Sequence, residues 1–259
     1  MGRNGLSKNA CGIRPAGHRS SSLLRKWEQR RALQVALRKS LCCYHNGVFN
    51  PANIPPAFVL KTVFLDRDGV INHKMPEGQW VTRWSDFQVL PGVVEAIEAL
   101  KRSGLRVFVV SNQRGIALGR FSEDDVRAIH QQFQRMLKAF GTQVDGFYYC
   151  PHDRAQCNCR KPLPGLFEQA VADHPDIQAH TSVMIGDSKS DMEFGKGLGM
   201  MTVFIDGDPA RQKPGAEEAR SLADLQASSL LDAVETLLKL RTPDNPPSTI
   251  CLGLPDKKA

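Results

Sequence analysis

The chain has 259 residues, 41% of them apolar and 24% charged, enough for one large domain with its own core and unlike a wholly disordered chain. The best apolar run, Leu105-Arg106-Val107-Phe108-Val109-Val110, is far too short to span a bilayer and carries an arginine, so no integral membrane protein is expected. The net charge of +7 is unevenly placed: residues 1–58 hold ten Lys and Arg against the single acid Glu28, a net of +9, which leaves −2 for the rest. The basicity therefore belongs to a leader, and no nucleic-acid partner is expected for the nearly neutral body.

Residues 1–58 read poorly as a folded domain, although Leu23 to Leu41 fits a basic amphipathic helix. They end in Asn50-Pro51-Ala52-Asn53-Ile54-Pro55-Pro56, which blocks regular structure. Three readings compete: a transit peptide, an arm for nucleic acid or a membrane surface, or a start assigned too far upstream. The last is favoured, although no methionine falls between Met1 and Met75. From Val59 the pattern alternates. Strands are expected at Val59–Leu65, Arg106–Val110, Gly146–Tyr149, Ser182–Ile185 and Thr202–Ile205. Helices are expected at Val93–Arg102, Ser122–Phe140, Pro164–Asp173, Lys189–Leu198 and Leu230–Leu240. Ser122 before three acids reads as an N-cap, and Pro164 suits a first helical position. Strands separated by helices imply right-handed crossovers and an α/β, Rossmann-like, doubly wound and mainly parallel sheet. The expected domain covers residues 59–240, and a proline-containing tail, 241–259, is expected to be disordered.

In such a sheet, ligands bind beyond the carboxyl ends of the strands. The residues there are chemically coherent. The first strand is followed by Asp66-Arg67-Asp68-Gly69, the second by Ser111-Asn112-Gln113, and the third by a Cys/His loop ending in Arg160-Lys161. The fourth leads into Gly186-Asp187-Ser188-Lys189-Ser190-Asp191. Carboxylates gathered from two strands repel unless a divalent cation compensates, and hard oxygen donors favour Mg²⁺. Lys161 and the Ser111 hydroxyl then suit phosphate oxygens, where transition-state charge spreads. Arg160 fits the same purpose, since a guanidinium matches phosphate geometry.

The run Cys150-Pro151-His152-x4-Cys157-x-Cys159 is a separate signal. Three thiolates and an imidazole fill a tetrahedral Zn²⁺ site with no vacant position, so the expected ion is structural. Fixing Cys159 would fix Arg160 and Lys161, which follow it directly. Two neighbouring features stay open. Arg114 either meets a second phosphate or faces solvent, and Trp80 and Trp84 either border a sugar or, the favoured reading, pack in the core.

Asp66-x-Asp68-Gly69-Val70, Ser111-Asn112, Lys161 and Gly186-Asp187-x3-Asp191 resemble the four motifs of the haloacid dehalogenase (HAD) superfamily over roughly residues 59–207. Phe64–Asn72, Ser111-Asn112-Gln113-x-Gly115-Ile116-Ala117, Tyr148–His152 and Cys157–Pro162 resemble more narrowly the D-glycero-D-manno-heptose 1,7-bisphosphate 7-phosphatases, and the related histidinol-phosphatases share most of them. The resemblance implies an Asp66 nucleophile forming an aspartyl-phosphate, with Asp68 as general acid and base. It implies Mg²⁺ held by Asp66, the Asp68 carbonyl and Asp187, with phosphate contacts from Ser111, Asn112, Arg160 and Lys161. Asp191 is expected to orient Lys161 or the metal shell. Zinc is expected on Cys150, His152, Cys157 and Cys159, in a short loop without a large cap domain. The expected enzyme is a cytoplasmic monomer with a small sugar-phosphate substrate and no membrane partner, serving nucleotide-activated heptose synthesis for cell-surface polysaccharide. Histidinol-phosphate phosphatase is the rival with the same site chemistry. A catalytically idle protein that binds through its basic leader is the rival of another class.

Overall fold

Six strands form one sheet, every neighbouring pair of them parallel, in the order β3-β2-β1-β4-β5-β6: β1 Thr62–Leu65, β2 Arg106–Asn112, β3 Gly146–Cys150, β4 Ser182–Gly186, β5 Met201–Ile205 and β6 Leu225–Ala227. The structure is a computed structural model that describes residues 59–207 and 214–241. The expected leader and the tail beyond Arg241 lie outside the described residues. Helices connect the strands: α1 Val93–Arg102, α2 Glu123–Ala139, α3 Gly165–Asp173, α4 Lys189–Leu198, α5 Ala216–Leu222 and α6 Leu230–Arg241. None among the described residues is long and apolar enough to cross a membrane.

Strand alternation builds three layers in the described residues. Val63, Leu65, Val107, Val109, Val183 and Ile185 face a core closed by apolar residues of α1, α2 and α6, among them Ile97, Phe133 and Val234. The intervening Phe64, Phe108, Val110 and Met184 face the opposite core with Leu166 and Ala170 of α3 and Phe194 of α4. Burial on both faces explains why these strands are continuously apolar rather than alternating.

Local signals agree with the elements. Ser122 caps α2 in a capping box: its Oγ accepts from the Asp125 N–H at 3.2 Å, and its own N–H donates to Asp125 Oδ2 at 2.8 Å. Pro164 stands one residue earlier than expected, at the N-cap of α3 with helical φ and ψ. The strand order reverses between β1 and β4, so the crevice beyond their carboxyl ends is the switch point of the fold. The segments at residues 66–92 and 151–164 are too short for a separate cap domain. The first holds only the single turn Trp84–Asp86, whose Trp84 stacks on Phe87 at 5.3 Å, as core packing requires.

Candidate active site

Asp66 leaves the end of β1 and Asp187 the end of β4, and Asp191 sits in the first turn of α4. One carboxylate oxygen from each lies within 4.8 Å of the others. Two glycines make this approach possible. Gly69 has φ +102°, and a Cβ there would stand 2.1 Å from Asp187 Oδ2, while a Cβ on Gly186 would stand 2.2 Å from the Asp191 Cβ. The four-residue interval from Asp187 to Asp191 also has a local cause. Asp191 Oδ2 accepts from the Ser188 N–H at 3.1 Å and from Ser188 Oγ, which caps the N-terminus of α4. Its Oδ1 is thereby turned toward the crevice, 2.6 Å from Lys161 Nζ.

Lys161 is 1% exposed at the side chain and bridges the cluster. Its Nζ donates to Asp66 Oδ1 at 2.9 Å and to the Val110 carbonyl at 2.8 Å. Burial works against its charge, yet the carboxylates of Asp191 and Asp66 push its ammonium up to about 12. Burial pushes the Asp66 carboxyl up to about 6. Lys161 opposes that rise, and the charges of Asp191 and Asp187 add to it. Gathered negative charge with one buried ammonium is a setting that a hard divalent cation would relieve, and the donor set, all oxygen, fits Mg²⁺. Lys74, which the sequence reading did not single out, forms an ion pair with Asp187 Oδ2.

Asp68 points into a separate polar group. Arg67 Nη2 donates to its Oδ1 at 3.0 Å and Oδ2 at 2.9 Å, Asn72 Nδ2 to Oδ1 at 2.9 Å, and Gln113 Nε2 to Oδ2 at 3.1 Å. Against the pull of burial, the Arg67 guanidinium and these hydrogen bonds hold Asp68 below the usual carboxylate range. Gln113 Nε2 also donates to the buried Ser111 Oγ at 3.1 Å, so the hydroxyl and the acid share one amide. The Asn112 side chain is tied to the backbone of Lys161. Its Nδ2 donates to the Lys161 carbonyl and its Oδ1 accepts the Lys161 N–H, each at 3.0 Å, so its side chain fixes the backbone that carries the lysine.

Cys150, His152, Cys157 and Cys159 form the second cluster, with no disulfide among them. Sγ of Cys157 lies 3.5 Å from that of Cys150 and 3.3 Å from that of Cys159. His152 Nδ1 lies 3.8 Å from Cys150 Sγ and 3.3 Å from Cys159 Sγ. A tetrahedral zinc ion with ordinary bond lengths needs ligand separations of about 3.5–3.8 Å, so the donors fit one ion with little adjustment. Burial pushes the Cys150 and Cys159 thiols up. Cys157, against burial, is drawn down to about 7 by hydrogen bonds with the other two.

Arg160 is half-buried, and its Nη1 has no hydrogen-bond partner. Burial lowers its pKa, and the nearby charges of Arg154 and Arg114 add to that effect. An anion would satisfy both deficits. Arg114, partly exposed, forms an ion pair with Asp153 in the Cys/His loop. Trp80 is half-buried beside Gly115, with the Arg120 guanidinium 5.6 Å from its ring centre. Arg67, Asn72 and Gln113 around Asp68 stand inside the quoted motifs, where sequence reasoning assigned them no separate role. Only the interval from Asp68 to Asn72, one turn, hinted at contact.

Comparison with known proteins adds a consistent result. A family described as HAD-hydrolase-like matches residues 158–233. A Vibrio cholerae protein named D-glycero-beta-D-manno-heptose-1,7-bisphosphate 7-phosphatase is 37% identical over 187 residues, covering 69% of this chain and 97% of that protein. A Mycobacterium tuberculosis protein named for the same reaction on the alpha anomer is 44% identical over 132 residues, 51% of this chain and 69% of that one. The crystal structure of D,D-heptose 1,7-bisphosphate phosphatase from B. bronchiseptica, complexed with magnesium and phosphate, superposes with a TM-score of 0.61 at 28% identity. It covers 70% of this chain and 99% of its own.

Proposed function

The chain belongs to the HAD-like sugar-bisphosphate phosphatases, and from that premise we propose that it removes the 7-phosphate of D-glycero-D-manno-heptose 1,7-bisphosphate through an aspartyl-phosphate. One observation carries the reading: Asp66, Asp187 and Asp191 converge within 4.8 Å at the switch point, with Lys161 Nζ against Asp66 and Asp191.

In this reading Asp66 attacks phosphorus as the bond to the sugar oxygen breaks, and water then attacks the acyl phosphate to regenerate the carboxylate. Lys161 offsets charge on the phosphoryl oxygens, and Asp191, anchored by its cap on α4, keeps the lysine extended toward them. Asp68 delivers a proton to the departing alkoxide and then takes one from the attacking water. Because Arg67 favours its ionised form, Asp68 serves as an acid only after its carboxylate leaves Arg67 and takes up a proton from solvent, which it then passes to the leaving oxygen. Mg²⁺, held by the Asp66 and Asp187 carboxylates and the Asp68 carbonyl, would supply the positive charge that draws phosphate onto an acidic site. Ser111 and Arg160 bind phosphate oxygens, and Asn112 acts through the Lys161 backbone. Zn²⁺ on the four Cys/His donors is structural and sets Arg160 and Lys161 in place. The enzyme is read as a cytoplasmic monomer in the supply of activated heptose.

The test is phosphate release measured side by side on both anomers of the heptose bisphosphate and on histidinol phosphate, with Mg²⁺ present. A kcat/KM at least tenfold higher for one heptose anomer is expected. Preference for histidinol phosphate would overturn the substrate assignment and leave the chemistry intact.

A further inference from the structure

Asp187 is matched by a cation of the chain itself. Lys74 comes from the segment between β1 and α1, and its ammonium forms an ion pair with Asp187 Oδ2, the two side chains being 11% and 9% exposed. The backbone beside it is tied down: the His73 N–H donates to the Gln88 carbonyl at 2.8 Å, and the Gly69 N–H to the Asn72 carbonyl at 2.8 Å. The ammonium is therefore held in the crevice rather than reaching in from solvent.

The charges make this placement consequential. Three carboxylates, Asp66, Asp187 and Asp191, face two ammoniums, Lys161 and Lys74. With all of them ionised the group carries one net negative charge. A divalent cation turns that into one net positive charge, suited to a phosphate dianion. Without Lys74 the same group would hold the metal with two negative charges and meet the phosphate with none to its credit. A cation on a metal carboxylate therefore weakens metal binding and strengthens binding of the anion that follows.

We propose that Lys74 is a binding residue of this site: it competes with the divalent cation for Asp187 and, once that cation is bound, gives its charge to the phosphoryl group alongside Lys161. The proposal rests on the reading of Asp66 and Asp187 as the metal's carboxylates, and it assigns a role to a residue outside the four motifs.

The test uses full-length protein and two calorimetric titrations, one with Mg²⁺ alone and one with inorganic phosphate at saturating Mg²⁺. For Lys74→Met the Mg²⁺ Kd should fall and the phosphate Kd should rise, each on the order of tenfold, as expected for one charge at contact distance in a partly screened site. Lys74→Arg, which keeps the charge, should stay within about threefold of wild type in both, on the same charge argument. Lys74→Gln is measured in parallel, so that poor folding of one variant does not decide the matter. A residue with a merely structural role would weaken both ligands together when replaced. That outcome, or no change in either constant, overturns the proposal. Wild-type protein that binds no Mg²⁺ would remove the metal reading and the proposal with it, whereas wild type that binds Mg²⁺ beside unchanged variants removes only Lys74.

Discussion

His130 offers a quantitative test of how the residues behind the carboxylates of the candidate site are held. It is 5% exposed, stacked on Phe147 with ring centres 4.5 Å apart, and its Nε2 has no hydrogen-bond partner. Burial lowers its pKa to about 3, the Arg67 charge adds to that effect, and the Asp68 carboxylate opposes it. The folded chain thus refuses a proton that the unfolded chain accepts at its ordinary value of about 6.5. Above that pH both states are neutral and the contribution to stability is unchanged. As pH falls from 6.5 toward 3 the unfolded state binds more protons, so stability falls by about 1.4 kcal/mol per pH unit. At pH 5.0 the loss from this one residue is about 2 kcal/mol. Urea unfolding of wild type and His130→Phe at pH 7.5 and 5.0 isolates it, because the titrating carboxylates are common to both proteins. Wild type should lose about 2 kcal/mol more than the variant between the two pH values. Equal losses would refute the argument and mean that the imidazole takes up its proton inside the fold.

Two further expectations concern the chemistry. Asp66→Asn should abolish phosphate release, since an amide is a poor nucleophile, while thermal unfolding stays within a few degrees of wild type; turnover above about 1% of wild type would identify another nucleophile. Cys157→Ser should lose one equivalent of zinc by elemental analysis and raise KM more than it lowers Mg²⁺ affinity. Wild-type protein without zinc, alongside a variant with normal kinetics, would end the idea that the loop positions Arg160 and Lys161.

The centre of the sheet was legible because its strands are buried on both faces, which leaves runs such as Val107–Val110 free of polar residues. The cap of α2 was legible for a chemical reason, a serine three residues before an aspartate. β6 and α5 were missed. Leu225-Gln226-Ala227 is three residues without a β-branched side chain, and the seven-residue α5 buries only Ala219, too little for a helical period to register. In the site, Asp66, Ser111, Lys161 and Asp187 could be grouped because Ser111 ends a strand and the others lie in segments that leave one, and parallel strands bring their carboxyl ends to one rim. Lys74 has no such guide. It lies in a loop whose path is set by backbone hydrogen bonds from Gly69 and His73, and loop paths leave no periodic trace in sequence. Arg114 was ambiguous for a related reason: its partner Asp153 is 39 residues away on a different loop.

That last pair bears on how the two clusters work together. The Cys/His loop is joined to the loop after β2 at several points. The Gln113 N–H donates to the Cys150 carbonyl at 2.8 Å, the Ala117 N–H to the Pro151 carbonyl at 3.1 Å, and Arg114 pairs with Asp153. At the far end of the same loop, Asn112 holds both backbone polar groups of Lys161. The segment from Cys150 to Lys161 is thus attached to the end of β2 at its start and at its finish, with four soft donors in between that suit one ion. Arg160 stands directly before the last of these attachments, and its carbonyl accepts the Leu163 N–H at 2.9 Å, while Nη1 of its half-buried guanidinium lacks a partner. An ion gathering the three sulfurs and the imidazole would add a tie within the loop to those that Asp153 and the Asn158 carbonyl already make. Under the proposed function, zinc on those donors would cost no catalytic group and would steady Arg160, a cation that burial alone leaves poorly held.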